Sequence, residues 1–543
     1  MRLLRALPCA TVLLAVISGQ RSIAQGQQGS SNVPTFRVTS SLVFLDVTVL
    51  DKKGRPVVKG LTKDDFTITE GKKPQRIFSF EAPETHTMDA GDDNPAGKAP
   101  VTIFVLDMLN SNFEDFAFIR YSVRKYLEAQ PAQLAAPAEM MAIGNASLEM
   151  LQGYTRSRDD LLFALKHLPT ALPYKMMNSS FFDERFVQSI DALQQIALQN
   201  KGVPGRKNIV WVGHGGPALN TGFLTGPVVE KLSQYVHQTT NMLVDSRISL
   251  FVIYPGLKVQ DRIKSISASD ADADIGNGDP FAGDINFGVF VNETGGELFY
   301  NRNDVDQEIK RSQELGSEYY TLTYQPREGD SNGKFRRIRV TLRDPSLHVV
   351  TKAGYFAPDE KTQADPRQQT IIRISDAARS TIPFTAVDLK VSGVVRHPDT
   401  RTADITVQMK SKNLIWQPGD NGKSSATLIF AAVSLTAHRD IVTSRLERVI
   451  LSVGTQDPAR LAEGMAQFAF TIRVPRNAQN VRMVVETEED GRIGATELDR
   501  KAIDSAPATV TPEPKLVRHR PDYTDANGGP PQSQSAPVSP KAP

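Results

Sequence analysis

The sequence predicts an α/β fold: a doubly wound, Rossmann-like domain in the middle of the chain with all-β modules on either side. Three observations carry this. Apolar runs without alternation recur at Val101–Leu106, Asn208–Val212 and Ile248–Tyr254, as strands covered on both faces require. Segments with apolar residues at helical spacing separate them. The regions before and after alternate with period two and are punctuated by turn residues.

At the N-terminus Arg2 and Arg5 precede an apolar run from Ala6 to Ile17, and Ser22-Ile23-Ala24 follows. Charge, apolar run and small residues in that order make a secretory signal over 1–24, cleaved after Ala24. The run is shorter than the roughly 20 apolar residues that span a bilayer, and no later run supplies them. The expectation is an exported protein of the periplasm, cell surface or medium, with no transmembrane anchor in the mature chain. Cys9, the single cysteine, lies inside the signal. Disulfides, Cys-ligated zinc and a thiol nucleophile are therefore excluded from the mature chain. The 63 basic and 61 acidic residues are interspersed, so no field draws nucleic acid or an anionic membrane.

The 543 residues allow about three or four domains of roughly 100–200 residues each. Leu42 to Val47 alternate in a β-branched run closed by the turn Asp51-Lys52-Lys53-Gly54, and Asp65–Gly71 repeats strand and turn. This predicts a β module over 36–82, followed by a turn-rich linker from Pro83 to Pro100. The α/β domain spans 101–326. Its expected helices are Phe113–Ala129, Asp159–Leu168, Asp183–Gln199, Pro227–Asp245, Phe287–Thr294 and Asp304–Gly316. Two short strands are expected over Glu139–Tyr154, another at Glu297–Tyr300, and Tyr319–Tyr324 is read as the last strand of the set. Arg336–Leu342 and His348–Tyr355 alternate, so 333–358 is expected to complete the first β module, since neither piece has strands enough for its own core. After a linker around Asp359–Pro366, short strands over 380–500 predict an immunoglobulin-like β-sandwich. The tail 506–543, rich in Pro, Ser, Gln and Gly, is read as disordered.

Several short stretches taken together resemble a known family. They are Phe44-Leu45-Asp46-Val47-Thr48-Val49, Asp51-Lys52-Lys53-Gly54, Leu61-Thr62-Lys63-Asp64-Asp65-Phe66, Phe104-Val105-Leu106-Asp107, Glu293-Thr294-Gly295-Gly296-Glu297-Leu298-Phe299 and Ala353-Gly354-Tyr355-Phe356. In this order, over roughly Phe36 to Pro358, the chain resembles the acidobacterial von Willebrand factor type A-related family of exported proteins. The resemblance implies an A-type domain set beside a β module, and no particular activity. Many A-type domains hold Mg²⁺ or Mn²⁺ at an adhesion site where an Asp-x-Ser-x-Ser loop, a Thr and a second Asp give hard oxygen ligands, and a partner's carboxylate takes the open position.

Against that pattern the loop Asp107-Met108-Leu109-Asn110-Ser111 keeps Asp107 and Ser111, whereas Leu109 fills the middle Ser position. His214 stands in Gly213-His214-Gly215 where the pattern has an Asp. Asn178, Ser179 and Ser180 lie near the expected Thr loop. Asp107 and Ser111 are thus candidate metal ligands, with Mg²⁺ or Mn²⁺ bound weakly or not at all, and Asn110 and His214 are candidate partner contacts on the rim. The plainer alternatives are a strand-end carboxylate hydrogen-bonded to loop N–H groups for Asp107, and for Ser111 an N-cap forming a capping box with Glu114.

Other motifs fall away. Gly-x-Ser-x-Gly is missing, so the His214-Gly215-Gly216 run has no hydrolase nucleophile to serve. Gly419–Ser424 lacks the first glycine of a phosphate loop and precedes a strand. Asp270, Asp272 and Asp274 start like a calcium loop, but Phe281 occupies the place of the bidentate Glu. Met140, Met141, Met176 and Met177 are read as core filling. The expectation is a non-enzymatic protein-binding or adhesion module with a degenerate metal site and an unidentified protein or cell-surface partner. The alternatives are an envelope scaffold with no rim ligand, or a hydrolase.

Overall fold

The computed structural model describes residues 42–86, 100–169, 173–255, 279–281, 284–326, 332–359, 365–419, 422–509 and 522–524. The signal segment with Cys9, the Asp270–Asp274 loop and most of the tail lie outside them.

The chain is mixed α/β with several sheets. It opens with β1 (Val43–Leu50), β2 (Phe66–Glu70), β3 (Lys73–Gln75) and β4 (Ile77–Glu81). The central region begins at β5 (Val101–Asp107), all of whose residues are buried. It continues through α1 (Phe113–Glu128), the hairpin β6 (Gln133–Ile143) and β7 (Leu148–Ser157), α2 (Arg158–Lys166), α3 (Tyr174–Met177) and α4 (Phe182–Gln199). Then come β8 (Lys207–Val212), α5 (Gly226–Asp245), β9 (Ile248–Pro255), α6 (Phe287–Thr294), β10 (Leu298–Arg302) and α7 (Val305–Ser317).

These strands form one six-stranded sheet in the order β10-β9-β8-β5-β6-β7, parallel except for the β6–β7 hairpin at its edge. Val105, Val210 and Ile253 lie on its neighbouring strands β5, β8 and β9. The lack of alternation has its reason here. Ile103, Val105, Ile209, Trp211 and Leu250 face α4, α5 and α6, while Phe104, Leu106, Val210, Phe251 and Ile253 face α1, α2 and α7. Local caps set the helix starts: Asn112, Ser157 and Asn286 each accept a backbone N–H in the first turn of α1, α2 and α6. The expected Ser111–Glu114 capping box does not form. The cap is Asn112, one residue later, because Ser111 is drawn into the interior.

Beyond α7, β11 (Tyr320–Tyr324) leaves the central sheet, contrary to the sequence reading. It pairs antiparallel with β1, Val43 opposite Tyr324 and Val47 opposite Tyr320, and with β4 on its other side. Its buried Tyr320, Leu322 and Tyr324 pack with Leu45, Val47 and Ile338, which a place in the central sheet would leave without cover. Next, β12 (Phe335–Leu342), β13 (His348–Val350) and β14 (Gly354–Phe356) return to the first strands. The two sheets of this module run β13-β1-β11-β4 and β14-β12-β2-β3, so segments before and after the central sheet share one core.

At the end of the stretch read as linker begins α8 (Pro366–Arg379), which the sequence reading left unassigned, with Asp365 as N-cap and Pro366 at its first position. The C-terminal region holds β15 (Leu389–His397), β16 (Thr402–Lys410), β17 (Ser424–Leu435), β18 (Ile441–Val453), β19 (Met465–Arg473), β20 (Asn480–Thr487) and β21 (Ile493–Asp499). Two antiparallel sheets enclose Ile405, Val407, Phe430, Phe468, Phe470 and Met483. The outer face of β17 is also buried at Ala431, Val433 and Leu435, in the same cluster as Ile374 and Ala377 of α8. Within the tail read as disordered, β22 (Asp522–Thr524) pairs with Met465–Gln467 of β19, so that short piece is ordered by a strand edge that composition does not show.

Candidate functional site

From β5 the chain crosses through α1 to β6 on one side, and it later returns to β8 on the other side of β5. Strand order reverses between β5 and β8, and at such a reversal an open α/β sheet leaves a crevice beyond the carboxyl ends of its strands. Asp107 ends β5 at this place, and Gly213-His214-Gly215 follows β8.

Asp107 is fully buried and saturated with protein donors. Its Oδ1 accepts the Asn110 backbone N–H at 2.8 Å, and its Oδ2 accepts Trp211 Nε1–H at 3.0 Å and the Gly215 N–H at 2.9 Å. The Asn110 Nδ2 lies 3.3 Å from both oxygens and also donates to Ser189 Oγ on α4 at 3.0 Å. Burial pushes the Asp107 carboxyl up to about 6, while the hydrogen bonds from Trp211, Asn110 and Gly215 pull the other way. Two glycines make the approach possible. Gly213 has φ 145°, and a Cβ there would fall 2.3 Å from Asp107 Cβ; Gly215 has φ 69°, and a Cβ would meet the Phe287 ring at 2.7 Å.

His214 turns away from Asp107. Its Nε2 sits 3.2 Å from Asp115 Oδ2 on α1, and its ring stacks on Tyr254 at the end of β9, 4.0 Å between centroids. Asp115 Oδ2 also accepts Asn112 Nδ2–H at 2.8 Å. Burial raises the Asp115 carboxyl, with Glu114 adding to it and the Asn112 bond opposing. Ser111 is fully buried and its Oγ has no hydrogen-bond partner. Asn110 is 2 % exposed, so it is a strut in the floor of the crevice and not a contact on its surface.

One side of the crevice is built by α3 and α4. Arg185, in the first turns of α4, reaches over the floor: its Nη1 lies 3.5 Å from Asn110 Oδ1 and 2.8 Å from Met176 Sδ. Burial lowers its affinity for the proton, and the charge of Asp107 raises it. Lys175 Nζ is held by Glu184 and Gln188, each at 3.2 Å, and Gln188 Nε2 donates to Gly144 O beyond β6 at 2.6 Å. Tyr174 and Met177 of α3 are exposed, as is Phe113 directly after the Asp107–Asn112 loop. Met177 is therefore surface and not core, although Met140 and Met141 are fully buried as read. Asn178 and Ser180 belong to this wall, where Asn178 Oδ1 accepts the Ser180 N–H at 2.9 Å.

The donor set does not fit Mg²⁺ or Mn²⁺. Such an ion needs converging oxygen ligands, whereas both Asp107 oxygens face N–H donors, Leu109 is a fully buried apolar side chain, and His214 is engaged with Asp115. Among the described residues no group of three or more His, Cys, Asp or Glu side chains converges as a metal site. Sequence reasoning found Asp107, Asn110, Ser111 and His214 but missed Trp211, Ser189, Asp115 and Arg185. Trp211 reads as one more apolar strand residue. Arg185, in a helix 75 positions from Asn110, has no local signal that assigns it to the crevice.

The fold and the crevice define a mixed α/β chain with an open rim at the carboxyl ends of its central strands. No family model matches the sequence, and no curated protein is similar to it. Among the solved structures with weak similarity are two from very different sources. Proximal thread matrix protein 1 from the mussel byssus shares 9% identity over 30% of this chain and 38% of its own length, with a TM-score of 0.20. The VWA domain of SpRpn10 shares 14% identity over 30% of this chain and 90% of its own, with a TM-score of 0.16. At these scores neither carries an argument about function.

Proposed function

We propose that this chain is an exported protein-binding module built on a doubly wound, von Willebrand A-type domain, and that its contact surface is the rim over Asp107. The observation that carries this is the composition of the rim: Tyr174 and Met177 of α3 and Phe113 at the start of α1 are exposed, and Arg185 reaches Asn110 on a floor fixed by the Asp107 hydrogen bonds. Aromatic residues, Met and Arg are the types enriched at the centre of protein contacts, and a floor that is already rigid costs little to order on binding. Binding on this reading is independent of divalent metal, and the module performs no chemistry. With Arg2–Ala24 read as a secretory signal, the partner on this proposal lies outside the cytoplasm.

The test is site-specific photocrosslinking of the full chain in its native cells. Benzoylphenylalanine at position 113 or 177 is expected to give discrete protein adducts that survive EDTA, and the same group at position 450, on the sandwich, is expected to give none with any foreign protein. Adducts that vanish with EDTA, or an equal pattern at all three positions, would overturn the reading.

A further inference from the structure

The outer strands of the two sandwich sheets are β15 and β19 in one, β21 and β18 in the other, and the chain itself covers three of these four edges. On β15 the Arg396 N–H donates to Pro507 O, and the Thr509 N–H donates to Arg396 O. β22 lies along β19, and on β21 the Ala495 N–H donates to Phe384 O. The fourth edge is β18, which pairs with β17 and with no other strand among the described residues. It is 13 residues long, contains no proline, and exposes Leu446 and Ile450. Free N–H and C=O groups along such an edge are a template for another strand, and proteins usually blunt it with proline, short length or charge. Charge does not blunt this one: Arg445 is paired with Glu447 at 2.5 Å and Arg448 with Glu488 at 2.6 Å.

We infer that β18 is the docking edge for a second copy of this chain, the two copies joining their sandwich sheets by antiparallel pairing of β18 with its equivalent, centred on Leu446. A closed pair has a two-fold axis, so that residue i meets j and j meets i. With the axis normal to the sheet, core-facing side chains stay on the core side, which allows only registers centred on a residue. Centring on Arg445, Glu447 or Arg448 sets that charge against its own copy, and like charges directly opposite destabilise a ladder. Centring on Leu446 sets Arg445 opposite Glu447 twice over, Val442 opposite Ile450 twice over, and Leu446 on its own copy. Thr443 then meets Val449, and Ser444 meets Arg448. Arg445 and Glu447 share the face of the core residue Leu451, so opposite charges meet along the core-side row and apolar groups along the outer row. The strand is complementary to itself in this register, and that commits the edge to a second copy over a foreign strand. Each copy removes the other's Leu446 and Ile450 from water and pairs its free backbone groups. No residue of the rim over Asp107 takes part.

The experiment uses the full chain with Cys9→Ser, which removes its single thiol. Sedimentation velocity over a concentration series is expected to show a reversible monomer–dimer equilibrium. Residues directly opposite in an antiparallel ladder have Cα atoms about 4.5–5.5 Å apart, within disulfide reach, so Leu446→Cys is expected to give a disulfide-linked dimer on mild oxidation. The two copies of Ser444 would lie about 13 Å apart along the strands, so Ser444→Cys is expected to give none. Glu447→Arg is expected to weaken the dimer about tenfold or more. Combining it with Arg445→Glu exchanges the charges and is expected to restore the dimer. A chain that stays monomeric, equal oxidation of the two cysteine variants, or a double variant as weak as the single one overturns the proposal. So does a dimer that forms only after removal of residues 510–543, because the edge then belongs to the chain's own tail.

Discussion

The two ends of the central sheet each bury an aspartate and treat it in opposite ways. At the amino ends of the strands, Asp46 of β1 meets Arg247, whose Nε lies 3.1 Å from it, and accepts Thr321 Oγ1–H at 3.0 Å. Burial raises the Asp46 carboxyl, but Arg247, together with Arg206 and Thr321, more than reverses this and holds it below the usual range. Arg206 itself is buried and donates to Thr48 Oγ1 at 2.9 Å and Ser249 Oγ at 3.1 Å. At the carboxyl ends, Asp107 meets only neutral donors and is pushed up to about 6. The first arrangement cancels charge and clamps the β module onto the central sheet. The second leaves charge uncancelled, and that field reaches Arg185. Cations make a seal, whereas neutral N–H groups make a polarised floor.

The largest expected effect follows from breaking the seal. Asp46→Asn leaves Arg247 and Arg206 facing an amide, and losing one partner of a buried ion pair costs about 3–5 kcal/mol. The urea unfolding midpoint should fall accordingly. A loss no greater than that of an exposed pair, about 1 kcal/mol or less, would erase the contrast between the two ends.

Glu139 of β6 sharpens the comparison, because it is fully buried with still fewer donors: Gln199 Nε2 lies 3.4 Å from Oε2, and Oε1 has no partner. Burial pushes it up to about 8, with weak help to the charged form from Tyr154 and Gln199. A carboxyl whose folded value is raised binds its proton more tightly folded than unfolded. Its stabilising contribution is full below the unfolded value and is lost as pH rises toward 8, at about 1.4 kcal/mol per pH unit. Lys207, lowered by burial to about 7, has the opposite sign, being uncharged more readily in the fold. The difference between wild type and Glu139→Gln isolates the carboxyl: the variant should gain relative stability by about 2 kcal/mol between pH 6 and 8. A difference independent of pH would show that Glu139 is not buried as a carboxyl.

At the rim the expected loss is smaller. Asp107→Asn keeps one oxygen for donors that now use two, and should cost about 1–3 kcal/mol. Trp211, one of the 2 tryptophans, donates to Asp107, so the near-ultraviolet circular dichroism should change with it. An unaltered tryptophan signal would mean that the Trp211–Asp107 bond is absent. The smallest effect belongs to the exposed wall. Met177→Ala should leave stability within about 0.5 kcal/mol while reducing crosslinking from position 113, and a larger loss of stability would make Met177 a packing residue.

What the sequence determined by itself is the set of elements and the position of the rim. Uninterrupted apolar runs can satisfy both faces only between two layers of helices, and Asp107 and Gly213–Gly215 mark strand ends because polar and glycine residues break those runs. Even α8, left unassigned in the sequence reading, was legible in Asp365-Pro366, a cap followed by proline. The tertiary structure decided everything that depends on distant partners. Tyr320–Tyr324 has the composition of a buried strand, which does not say that Val43–Leu50, far away in sequence, offers its ladder. Ser111 reads as a cap, yet Asn112 takes that place once the loop is pulled inward. Whether a buried aspartate becomes a seal or a floor is likewise set by what arrives beside it: Arg247 lies 201 positions from Asp46, and Trp211 lies 104 from Asp107. Local pattern fixes backbone hydrogen bonds and burial, because these depend on neighbours in the chain. Charge balance in the interior depends on groups that only the folded chain brings within a few ångströms of each other, and so it is written in the topology.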